Sequence, residues 1–161
     1  MHRLLTAIAA AGLMAGPAMA SDQTDVMSIV HQWIDALDKG DMKTFVGLCA
    51  DAGSILDDFP PYQWQGPDAC SRWWNDYDAL AKANEITDGF VALGKPLQVS
   101  VIGKHAYVVT RDNFTYKMKG KPMKQVGSIH TLVLEKGGAG WRITGEAWAA
   151  TAQAAPVKAG S

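Results

Sequence analysis

The chain has 161 residues, a length that suits one domain. Its 48% hydrophobic and 19% charged residues exclude a disordered chain, a collagen and a coiled coil. A formal net charge of -1 offers no broad basic footprint, so no nucleic-acid partner is expected.

Residues 1–20 read as an address rather than as structure. A short positive start (Met1, His2, Arg3) precedes an uncharged Leu- and Ala-rich run from Leu4 to Ala15. Gly16 and Pro17 break that run, and Ala18-Met19-Ala20 gives the small-x-small pattern of a secretory cleavage site. The run is too short to cross about 30 Å of hydrocarbon. The expectation is a signal peptide cleaved after Ala20, with the rest periplasmic or secreted and no membrane partner. Cys49 and Cys70 then lie where an oxidising compartment permits pairing. Two readings stand side by side for them, a disulfide and a pair of small buried hydrophobes.

From Asp25 to Lys39, Val26, Ile29, Val30, Trp33, Ile34 and Leu37 recur at helical spacing, with Thr24 as a cap and Gly40 at the exit. Asp41 caps a second, shorter helix through Cys49. A strand is expected over Gly53–Phe59, stopped by Pro60-Pro61. Gly66-Pro67-Asp68 then starts a third helix, with Pro67 at its first position. Beyond Asn84 the pattern turns extended: Glu85–Leu93, Leu97–Ile102, His105–Met118, Met123–Glu135 and Trp141–Ala150, separated by Gly- and Lys-rich turns. Short loops between long strands imply antiparallel hairpins. Residues 21–150 thus form the domain, and the Ala/Gly-rich segment 151–161 reads as a disordered tail. The layout is α+β: about three N-terminal helices packed on a curved, mostly antiparallel sheet.

Three strings carry a resemblance. WIDALDKGDMKTFVGLCADAGSILDDF resembles the opening of the nuclear transport factor 2-like superfamily, in its SnoaL-like and ketosteroid-isomerase-like branch. WQGPDACSRWW resembles that family's entry to its third helix, and HTLVLEKGGAGWRITGEAWA its closing hairpin. The resemblance implies a cone-shaped fold enclosing a cavity, and often a homodimer formed through the sheet. Members include isomerases, dehydratases, cyclases and epoxide hydrolases, as well as domains that only bind or assemble, so fold does not decide function. Many members carry a His in the last strand; here Gly145-Glu146-Ala147-Trp148-Ala149 has none.

The residues themselves hold no nucleotide-binding glycine loop, no His/Cys metal spacing and no GxSxG elbow, so no metal or cofactor is expected. What remains is carboxylate and imidazole chemistry, which burial brings into a useful pKa range. Asp57, Asp58, Asp112, His130 and Glu146 are the available groups. Asp57 and His130 are the catalytic candidates. Asp57 shares strand parity with Ile55 and Phe59, whereas Asp58 points the other way.

If the 137–140 loop closes from Glu135 to Trp141, His130 sits opposite Glu146. That register gathers Ile129, Val133, Trp141, Ile143 and Ala147 on an apolar core face. It leaves Ser128, His130, Leu132, Leu134, Arg142, Glu146 and Trp148 on a mixed face, which suits either a ligand site or a dimer interface. His31 and His105 read as solvated. Pro60-Pro61-Tyr62-Gln63-Trp64 reads either as a lip over a cavity mouth or as plain packing. The expected ligand contacts are Trp33, Asp57, Tyr62, Trp64, Tyr107 and Trp148. The functional expectation is an exported domain that binds a small, largely apolar molecule. An acid–base enzyme of isomerase, dehydratase or cyclase type and a non-catalytic dimerisation domain are the alternatives.

Overall fold

A computed structural model describes residues 17–157. The expected leader falls on residues 1–20, of which 1–16 lie outside the described residues. Helix α1 spans Pro17–Asp38, beginning earlier than the apolar periodicity indicates. Pro17 suits that start, because the first helical position needs no backbone N–H partner. Gly40, at φ 69°, ends the helix: its N–H donates to Leu37 O at 3.1 Å and the N–H of Asp41 donates to Ala36 O at 2.8 Å. Asp41 then caps α2 (Met42–Gly47), accepting from the N–H of Thr44 at 3.1 Å and from its hydroxyl at 2.6 Å.

Strand β1 runs Cys49–Leu56 and β2 runs Gln63–Pro67. Three expectations are corrected here. The first strand ends before Asp57, so Asp57 and Asp58 stand on the connection after it. The supposed lip is partly a strand, because Trp64 pairs with Ile55 and its ring is buried. Pro67 closes β2 instead of opening a helix; Asp68 takes φ 56° and α3 follows at Ala69–Ala83. A disulfide joins Cys49 on β1 to Cys70 on α3, with Cα atoms 6.6 Å apart.

The rest is sheet: β3 (Ile86–Ile102), β4 (His105–Met118), β5 (Lys121–Gly137), β6 (Gly140–Ala149) and β7 (Ala155–Pro156). The break expected at Gly94-Lys95-Pro96 is a pair of register shifts within one long strand, β3. The strands form a curved seven-stranded sheet in the order β2-β1-β6-β5-β4-β3, with β7 added on β5. The β1–β6 pair is parallel and every other pair is antiparallel. Residues 151–157, expected to be disordered, are tied to the sheet. Thr151 Oγ1 donates to Gly127 O at 3.0 Å, Gln125 Nε2 donates to Ala152 O at 2.8 Å, and β7 pairs with Met123 and Lys124.

Two bulges decide which side chains face inward. In β6, Leu134 pairs with Ile143 but Val133 pairs with Gly145, so Thr144 is an extra residue. Each extra residue reverses the alternation of faces. Trp141 and Ile143 therefore point inward before the bulge, and Glu146 and Trp148 after it. The expected core face is corrected accordingly: Val133 is 41% exposed, on the outer face. The inner face instead carries the expected mixed set apart from Arg142, together with Trp141 and Ile143 of the expected core face. In β5, Gly127 is the extra residue, at φ 73°, and it turns Gln125 inward beyond Ser128. Helices α1 and α3 lie over the inner face and complete a core around Val30, Trp33, Phe45, Trp73, Val108 and Leu132.

Candidate active site

A cavity of about 610 Å³ opens between the helices and the inner face of the sheet. Its size is that of a small-molecule site. The sheet side brings in Phe114, Tyr116, Gln125, His130, Glu146 and Trp148, while the helix side brings in Trp33, Leu37, Trp73, Tyr77 and Leu80. Asp57, Asp58 and Phe59 come from the connection after β1, and residues 150–154 pass along the rim.

His130 is the centre of the polar end. Its Nε2 lies 2.7 Å from Glu146 Oε1, and its Nδ1 lies 3.2 Å from Asp112 Oδ2. These are short polar contacts rather than aligned hydrogen bonds, since neither Nδ1 nor Glu146 Oε1 has a well-directed partner. All three side chains are buried. The pairing reflects the Thr144 bulge: the cross-strand partner of His130 is Trp148, and Glu146 stands opposite Leu132. Relative to the sequence expectation the register has slipped by two residues, which preserves the face and makes His130–Glu146 a diagonal contact. Trp148 Nε1 donates to both oxygens of Asp112, at 3.0 and 3.3 Å. The Trp33 ring meets His130 edge-on at 5.9 Å.

Burial alone would push the His130 pKa down, but the charges of Glu146 and Asp112 outweigh it and raise the group to about 9. Glu146 is held above the ordinary carboxylate range by burial, opposed by the His130 charge. Asp57 is raised to about 7, chiefly by burial and then by the nearby charge of Glu146. Its carboxylate accepts from Trp73 Nε1 at 2.9 Å and from the N–H of Asp58 at 2.7 Å. Burial and the Asp57 charge raise the Tyr77 phenol to about 12, so it is a proton donor in hydrogen bonds. The site thus offers a carboxylate near its midpoint at neutral pH and an imidazolium in the same cavity. Two titratable groups with pKa values pushed apart are the means by which one site performs both acid and base steps.

Of the expected ligand contacts, Trp33, Asp57 and Trp148 line the cavity. The other three stand elsewhere. Trp64 is core, packed on Phe59 and donating to Asp76 Oδ2 at 2.7 Å. Tyr62 is exposed beside the turn, and Tyr107 is exposed on the outer face of β4, where its strand parity places it. His31 and His105 are exposed. Sequence reasoning missed Trp73, Tyr77, Phe114, Tyr116, Gln125 and the 150–154 rim as wall residues. The alternation of Asp112, Phe114 and Tyr116 along β4 was the available signal for two of them. Among the described residues no group of three or more His, Cys, Asp or Glu could hold a metal ion, and no helix is long and apolar enough to cross a membrane.

The family model for the SnoaL-like domain matches residues 26–147, so this chain belongs to the SnoaL-like family of the nuclear transport factor 2-like superfamily. Solved structures agree on the fold. The hexachlorocyclohexane dehydrochlorinase LinA-type3 from Novosphingobium barchaimii superposes with a TM-score of 0.72 at 9% identity, over 88% of this chain and 93% of that one. A nuclear transport factor 2-like superfamily protein from Salmonella enterica gives 0.69 at 16% identity, over 88% and 97%. An NTF2-like protein with a cystatin-like fold from Novosphingobium aromaticivorans gives 0.67 at 17% identity, over 83% and 84%. No curated protein matches the sequence.

Proposed function

We propose that this chain is an acid–base enzyme that moves a proton to or from carbon in a small, largely apolar molecule, as in an isomerisation or an elimination. The observation that supports this is His130, buried between Glu146 and Asp112 in the wall of a cavity that it shares with Asp57. A purely structural histidine would not need a cavity beside it, nor a second carboxylate in the wall with a pKa of about 7.

In the proposed step, the Asp57 carboxylate takes a proton from a carbon next to a carbonyl. The electron pair moves onto the carbonyl oxygen, where the His130 imidazolium faces the developing charge. In an isomerisation, Asp57 returns its proton at another carbon. In an elimination, His130 gives its proton to the departing hydroxyl, and transfer from Asp57 then restores both groups. Glu146 and Asp112 keep His130 charged and oriented, and Trp73 holds the Asp57 carboxylate. One fold neighbour is named a dehydrochlorinase, a name that denotes an elimination.

The test is deuterium uptake at the α-carbon of acetylnaphthalene in heavy water, followed by NMR. The enzyme accelerates the exchange, and Asp57→Asn lowers the rate by about 10²–10⁴-fold. Absence of exchange with the unaltered protein, or an unchanged rate in Asp57→Asn, overturns the reading and leaves a ligand-binding domain.

Export and dimerisation are part of the same proposal. The Cys49–Cys70 disulfide fits an oxidising compartment and supports the leader reading of residues 1–20. The outer sheet face carries Leu56, Tyr107 and Val133 at 40–45% exposure, a surface suited to a second copy of the chain. Light scattering on the exported protein reads the mass: a dimer supports this arrangement and a monomer rejects it.

A further inference from the structure

The cavity walls are rings on both sides. On the helix side Trp73 and Tyr77 stack with their planes 2° apart and centroids 5.3 Å apart. On the sheet side Phe114 and Tyr116 stack at 22° and 4.8 Å. Trp33 and Trp148 close the end nearest His130. Flat walls of this kind fit a fused aromatic ring system by stacking and edge contacts.

The charges on those walls have one dominant sign. Asp57, Asp58 and Glu146 line the cavity, and Asp112 stands behind His130. Among the described residues no Lys or Arg lines it, and its one cationic group is His130, already in contact with two carboxylates. Lys117, next to Tyr116 on β4, is engaged elsewhere: it pairs with Asp88 at 2.7 Å.

We infer that the cavity selects planar aromatic molecules that are neutral or positively charged, and rejects those carrying a carboxylate. A carboxylate entering this space loses its hydration, finds no free cationic partner, and meets like charge at Asp57 and Glu146. An ammonium group on the same rings meets the Asp58 carboxylate and the faces of Trp73 and Tyr77, which attract cations. A carbonyl substituent carries no charge to repel and needs only a hydrogen-bond donor, which the Tyr77 hydroxyl in the wall supplies. The inference deepens the proposed function and rests on the cavity being its ligand site.

Three probes on one ring system, with a neutral, a cationic and an anionic substituent, test it: acetylnaphthalene, naphthylmethylamine and naphthoate. Binding is read by isothermal calorimetry on the full chain at about pH 8, above the Asp57 value of about 7. The expected result is that the ketone and the amine bind, with naphthoate weaker by about tenfold or more. Asp58→Asn, at an exposed position, narrows the gap between amine and naphthoate. Naphthoate binding as tightly as the amine overturns the charge selection while leaving the acid–base reading intact. Failure of all three to bind overturns both.

Discussion

Trp148 and His130 are direct cross-strand partners, and both address the same carboxylate: the Trp148 indole donates to Asp112 at 3.0 Å while His130 Nδ1 lies 3.2 Å from it. Asp112 is therefore fixed by one neighbour and orients the other. Its charge also helps to hold His130 at about 9, although burial works against it. In Asp112→Asn that support is lost and the His130 value falls. The alkaline limb of the pH–rate profile then moves to lower pH, and kcat drops by about 10–100-fold. An unmoved limb would show that Asp112 has no electrical hold on the imidazole.

The unaltered protein should give a bell-shaped rate profile. Activity rises as Asp57 ionises near pH 7 and falls as His130 loses its proton near pH 9. Because the groups interact through Glu146, the two apparent values belong to the set and not to single residues. The profile of the deuterium exchange rate checks this.

Stability should fall as pH rises from 3.8 to about 9. The folded-state Asp57 value lies above its ordinary 3.8, so its contribution is complete below pH 3.8 and is lost as pH rises through about 7. The folded-state His130 value also lies above its ordinary 6.5, so its contribution is complete below 6.5 and is lost through about 9. Asp57→Asn keeps the shape and removes the charge. It should be more stable than the unaltered protein above pH 7 by on the order of 1–2 kcal/mol, measured by urea unfolding.

His130→Ala should behave in the opposite way, since it leaves Glu146 and Asp112 buried without a counter-charge. The expected loss is about 3–5 kcal/mol at neutral pH. A double change of Glu146 to Gln and His130 to Gln should recover much of it.

The disulfide closes a loop with a sequence separation of 21 residues and links β1 to α3, whose Trp73 holds Asp57. Reduction should lower stability by about 3 kcal/mol, seen as a lower urea midpoint with dithiothreitol present.

Most elements of this fold are legible in the sequence because periodicity reports burial one element at a time. β4 is read at its exact bounds, His105–Met118, and the Asp41 cap and the Gly40 exit follow from local chemistry. Facing is another matter. A single extra residue at Thr144 exchanges the two faces of β6, and nothing local to Ile143-Thr144-Gly145 marks it. The bulge places Trp141 and Glu146 on one inner face although their numbers differ in parity. That is why His130 and Glu146 could be brought together from the sequence while their face could not be assigned. The segment after Ala149 carries no apolar pattern, because it is held by single bonds such as Gln125 to Ala152. Its place at the cavity rim is a product of the tertiary fold alone.

The proposed chemistry turns on the protonation state of one buried side chain. Nitrogen NMR of the His130 imidazole across a pH series measures it directly. The expected result is an imidazolium at pH 7 that loses its proton near pH 9. A neutral imidazole at pH 7, titrating at or below the ordinary 6.5, would contradict it and remove the acid from the proposed acid–base pair.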